Sequence, residues 1–145
     1  MIDFGSLPFN KVRAFLLETD NEFDKPLSTR VDIDEYAKKL SDFSKFVYCN
    51  VDDDIVGMIS CYMNRPSVGY ISNVCVKKKF QGKGLFSKML KVLLFNAKEL
   101  GMKTLKLEVD DDNHKAKEIY HSNGFALCGD SKRGSSYMEL LINND

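Results

Sequence analysis

The sequence predicts an α/β fold of the α+β kind, built as one domain over residues 1–145 on a central mixed, mainly antiparallel sheet with helices on both faces. Three observations predict it. Residues 68–76 form an apolar run that passes through a turn rich in lysine and glycine into a segment where Phe86, Met89, Leu90, Leu93, Ala97 and Leu100 recur at steps of three and four. Lys88, Lys91, Lys98 and Glu99 fall on the opposite side, as on an amphipathic helix. Residues 104–109 alternate instead, with Leu105, Leu107 and Val109 pointing one way and Lys106 and Glu108 the other, as a strand requires. Finally, the apolar runs 46–51 and 55–63 flank Asp52-Asp53-Asp54, a gap short enough for a hairpin.

The elements follow in order. Residues 11–19 have helical character, and residues 32–40 form a second helix that Asp32 can cap, with Glu35 three positions later. Between them, the polar stretch 21–30 with Pro26 reads as a surface loop. After the hairpin, Asn64-Arg65-Pro66 makes another turn before the strand at 68–76. Gly101 stops the central helix. A further helix spans 113–122 and ends at Asn123-Gly124, and strands at 125–128 and 136–142 close the chain around the polar loop 129–134.

A chain of 145 residues with 43% hydrophobic content can bury one real core. Its formal net charge is zero, which gives no overall field favouring nucleic acid or a membrane surface. No run reaches the length of a membrane span and the first ten residues lack a signal-peptide profile, so the expected location is cytoplasmic. Cys49, Cys61, Cys75 and Cys128 sit singly in apolar runs and read as reduced packing residues. The three adjacent aspartates splay in different directions and read as a solvated turn; no metal is expected.

Chemistry concentrates in two stretches. In Gln81-Gly82-Lys83-Gly84-Leu85-Phe86, two glycines let backbone N–H groups converge where a helix dipole presents its positive end, a site suited to a pyrophosphate. Lys77, Lys78, Lys79 and Lys83 add mobile positive charge. The spacing is not that of a P-loop, and Ser87 stands where the dinucleotide fingerprint needs a third glycine. Downstream, Ala116, Ile119 and Tyr120 share one face of the helix after Asn113, which turns the tyrosine toward the sheet. Glu108, on the preceding strand, can approach the same cleft and offer a proton acceptor beside that donor.

The ordered pair Gln81-Gly82-Lys83-Gly84 and Asn113…Tyr120…Gly124-Phe125 resembles the Gcn5-related N-acetyltransferase (GNAT) superfamily, most closely over residues 55–125. The resemblance implies a sheet that splays at its centre, acetyl-CoA as donor, and direct attack of a primary amine on the thioester. The acceptor it suggests is a small molecule such as an amino sugar, amino acid or polyamine. Acetylation of a protein N-terminus or lysine, or a CoA-binding module without catalysis, are the alternatives.

By the same resemblance, the amides of Gln81, Gly82, Lys83, Gly84, Leu85 and Phe86 hold the pyrophosphate, with Phe86 standing where the family pattern has glycine or alanine. Val74, Cys75 and Val76 pair with the pantetheine arm, the Val74 N–H facing the thioester oxygen, and Asn113 holds the arm from the other side. Glu108 is the candidate base and Tyr120 the candidate acid and cofactor contact. Tyr70 and Ser72 are alternative residues of the acceptor site. Homodimers occur in similar proteins, and the last strand is the expected edge for such pairing.

Overall fold

The computed structural model describes residues 1–22, 25–129 and 134–142. Its strands are β1 (Ile2–Gly5), β2 (Ser44–Val51), β3 (Asp54–Arg65), β4 (Val68–Val76), β5 (Thr104–Asp110), β6 (Ala126–Leu127) and β7 (Ser135–Leu141). Its helices are α1 (Phe9–Thr19), α2 (Ile33–Phe43), α3 (Leu85–Glu99) and α4 (His114–Ser122). One seven-stranded sheet runs in the order β1-β2-β3-β4-β5-β7-β6. Every neighbouring pair is antiparallel except β4 with β5, which are parallel and joined through α3.

Strand alternation sorts the core into two layers. Phe46 and Met58 face one side, with Val12, Phe15 and Leu16 of α1 and Ala37 and Leu40 of α2. Their chain neighbours Val47 and Ile59 face the other, with Met89, Leu93 and Ala97 of α3. β3 is continuously buried from residue 56 to residue 61 because both faces are covered there. Each large side chain fully buried in this way contributes roughly 1.5–3 kcal/mol.

Local signals explain the element ends. Asp32 caps α2, its carboxylate accepting from the Glu35 N–H at 3.0 Å. Asp52 and Asp53 both adopt left-handed backbone (φ 51° and 68°), the geometry of a tight two-residue hairpin, and Asp54, expected in the turn, instead opens β3 opposite Val51. The next turn lies later than expected: β3 continues through Arg65, and Pro66-Ser67 makes the corner with Ser67 at φ 69°.

Two expectations about the sheet need correction. An additional strand, β1, precedes the first helix and pairs with β2 from Ile2↔Cys49 to Gly5↔Phe46. The last strand is not an edge, because residues 126–127 fold back on it through Ala126↔Glu139 and Leu127↔Met138; the edges are β1 and β6. The loop expected at 129–134 lies, apart from its end residues, outside the described residues, as do residues 23 and 24 of the loop expected at 21–30. Among the described residues, no helix is long and apolar enough to cross a membrane.

Candidate active site

The site begins with a mismatch in the sheet. β4 pairs with β5 only from Val68↔Thr104 to Ile71↔Leu107, and beyond that point the two strands separate. On its other side β4 carries an extra residue, since Ser60 pairs with Asn73 and Cys61 with Ile71, leaving Ser72 between them as a bulge. The second half of β4 therefore has an unpaired edge. The Lys77 N–H donates to the Val56 carbonyl. By the alternation of an antiparallel ladder, Cys75 then bonds toward β3, and Val74 and Val76 turn their N–H and C=O toward the opening. Gln81 Nε2 donates to the Val76 carbonyl at 2.8 Å, on that open side.

The turn that follows is shaped for a ligand. Gly82 and Gly84 have φ 76° and 75°, and nothing lies within 4 Å of where a Cβ would stand on either. Gly84 is also the N-cap of α3, and no side chain caps that helix end. The first amides of α3, from Leu85 onward, thus present the positive end of a fifteen-residue helix to open space.

α4 forms the opposite wall. Asn113 caps it, its side-chain oxygen accepting from the Ala116 N–H at 3.1 Å, which leaves the amide NH2 as the group that can donate into the cleft. Tyr120 is packed between two rings, 5.6 Å from Phe86 edge-on and 5.9 Å from Phe125. Burial pushes its phenol up to about 12, so it stays protonated. Phe86 therefore gives its bulk to Tyr120. Ala116, Ile119 and Tyr120 line the cleft together, Ile119 being 38% exposed.

A cavity of about 470 Å³ joins these parts, its walls including Val74, Cys75, Val76, Gln81, Gly82, Gly84, Leu85, Phe86, Asn113 and Tyr120. Lys83 and Glu108, and the alternative acceptor-site residues Tyr70 and Ser72, lie outside that lining. Lys83 places its ammonium 5.9 Å over the ring of Phe80. Glu108 projects from the face of β5 opposite Leu107 and Val109, where Ser135 Oγ donates to its Oε2 and Tyr137 pairs directly across. Tyr120 packs on the Leu107 and Val109 side, so Glu108 and Tyr120 flank the split from opposite faces of the sheet. The Tyr70 phenol is raised by burial and then by the charge of Glu108.

Glu22, Phe80, Ser87 and Lys115 also line the cavity. Sequence reasoning missed Glu22 because no periodicity connects a short turn at 20–22 with a strand about fifty residues later. Glu22 is fixed there by the Lys78 N–H, which donates to its Oε1 at 2.7 Å, and Glu18 meets Lys77 at 2.6 Å. Cys75 packs its side chain into the α1 and α2 layer, where burial raises the thiol to about 11. A nucleophilic thiolate is therefore scarce there. His114 and His121 are exposed. Among the described residues, no three His, Cys, Asp or Glu side chains gather as metal ligands.

Comparison with known proteins gives a consistent result. The model of the acetyltransferase (GNAT) family matches residues 11–125. The chain is 28% identical over 119 residues to an uncharacterized N-acetyltransferase of Archaeoglobus fulgidus, covering 77% of this chain and 81% of that protein. It is 26% identical over 83 residues to the chloroplastic GCN5-related N-acetyltransferase 6 of Arabidopsis thaliana, 55% of this chain but 29% of that longer protein. Among solved structures, the ribosomal-protein-S18-alanine N-acetyltransferase of Escherichia coli superposes with a TM-score of 0.79 at 19% identity, over 98% of this chain and 94% of that one.

Proposed function

The chain belongs to the GNAT family of acetyltransferases and is an acyltransferase, and from that premise we propose that it passes an acetyl group from acetyl-CoA to the primary amine of a small molecule. One observation carries the reading. A single cavity gathers the open edge of β4, the two glycines before α3, and Tyr120. The space beside Gly82 and Gly84, where a Cβ would intrude, fits a pyrophosphate held by backbone amides. Bound acetyl-CoA supplies an activated acyl thioester; the rest is done by the chain.

The Val74 and Val76 backbones bind the pantetheine arm as a further strand would, and Asn113 closes on it from α4. The Val74 N–H donates to the thioester oxygen as negative charge grows there, a fixed dipole that needs no reorganisation. Glu108, on the far face of the split, takes the proton of the entering amine directly or through water, since a protonated amine cannot attack. Tyr120 meets the sulfur from the near face and donates to it as the thiolate departs.

A small acceptor is the first reading; the ion pair between Lys25 and Asp112, 3.1 Å long, joins the α1–α2 connection to the β5–α4 turn, and loops tied together in this way suit a closed pocket better than an open peptide groove. That contact is exposed and worth little energy. A protein N-terminus is the second reading, supported by the fold shared with the ribosomal-protein enzyme.

A thiol-release assay with amino sugars, amino acids, polyamines and short peptides tests the choice. Turnover should be most efficient with one of the small amines. Turnover of peptides alone would transfer the assignment to the second reading, and tight CoA binding without turnover on any amine would make this a binding module.

A further inference from the structure

The bulge in β4 is held by a residue that the proposed chemistry does not use. Ser72 has no ladder partner on β3, where the register skips it, and none on β5, where pairing stops at Ile71. A backbone carbonyl in that position needs a donor from elsewhere. The phenol of Tyr36, reaching down from α2, donates to the Ser72 carbonyl at 3.0 Å. The Ser72 hydroxyl lies 2.9 Å from that of Ser60, so the carbonyl and the hydroxyl of the extra residue are both tied.

The donor is itself well fixed. Tyr36 lies among Ile33, Ala37 and Leu40 on the buried side of α2 and packs against the layer that contains Phe46 and Met58. Burial raises its phenol above the ordinary value, against a smaller opposing effect of the neighbouring Asn73 and Ser72, so the hydroxyl keeps its proton at neutral pH.

What the bulge controls is direction. One inserted residue changes which groups of the following strand point out of the sheet, and Val74 is two positions further on. We propose that Tyr36 is a positioning residue for acyl transfer: its hydroxyl locks the Ser72 bulge and so aims the Val74 N–H into the cavity, without touching either substrate. The inference rests on Val74 being the donor to the thioester oxygen. Donors of this kind act within narrow tolerances, and removal of one costs on the order of 100–1,000-fold in kcat. A donor loosened but still present should cost less.

Tyr36→Phe removes the hydroxyl and keeps the ring. Steady-state kinetics should show kcat reduced about tenfold, with the amine KM and the acetyl-CoA dissociation constant within about twofold of the wild type. Amide hydrogen exchange at residues 73 and 75, whose N–H groups face β3, should accelerate, while β3 amides at 57–59 keep their protection. Unchanged kcat, or unchanged exchange at both 73 and 75, overturns the proposal. So does a rise in amine KM alone, which would place Tyr36 against the acceptor. Wild-type protein that transfers no acetyl group defeats the underlying reading and the proposal together; active wild type with an unaffected variant defeats the proposal alone.

Discussion

Tyr120 shows how much one side chain can contribute when its surroundings are rigid. Phe86 and Phe125 fix its ring, and burial keeps the phenol protonated to about 12. A CoA thiol resembles an ordinary thiol near 8.5, so complete proton transfer from an isolated phenol at 12 would be uphill by about 5 kcal/mol. On the proposed mechanism the tyrosine therefore acts by hydrogen bonding to the sulfur as charge develops, and transfer completes as the attacking amine loses its own proton. Because burial raises the phenol, its ionisation lies beyond the working range, and no limb of the pH profile between 6 and 10 belongs to it. Tyr120→Phe should lower kcat about 100-fold by the same ratio at every pH in that interval, with acetyl-CoA affinity unchanged. A ratio that closes as pH rises from 8 to 10 would show that the group titrates there and contradict the assignment.

At the level of elements, the turn before α3 combines an uncapped helix end with two left-handed glycines. Gly84→Val would force a β-branched residue into that backbone, costing on the order of 1–2 kcal/mol or more, and would place carbon in the space proposed for the pyrophosphate. Acetyl-CoA should bind at least about tenfold more weakly while Tm falls by a few degrees. Unaltered affinity would show that the phosphate lies elsewhere. This turn was legible because glycine spacing and a helical period are written consecutively, and so was the Asp32 cap, three residues from its partner. β1 was not: four residues, Ile2–Gly5, carry too little alternation to declare a strand, and what stabilises them is β2, more than forty residues away. Tertiary pairing overrode local silence.

For the molecule as a whole, the opening follows from one parallel pair in an otherwise antiparallel sheet. α3 carries the chain from β4 to β5, and the two strands diverge after four paired positions. The order of helices and strands along the chain predicted the class of fold, including helices on both faces. The insertion of β7 between β5 and β6 was not predictable from local pattern, because strand order depends on pairings between distant segments. For the same reason Glu108 and Tyr120, close in sequence logic, emerge on opposite faces of the split, and Glu22 joins the cavity from the other end of the chain.

Isothermal titration of the full chain with acetyl-CoA tests the central claim most directly. Stoichiometric binding with a dissociation constant on the order of 1–100 μM is predicted, together with stabilisation of about 2.7 kcal/mol at a hundredfold excess over that constant. No heat of binding and no rise in Tm at millimolar acetyl-CoA would contradict it.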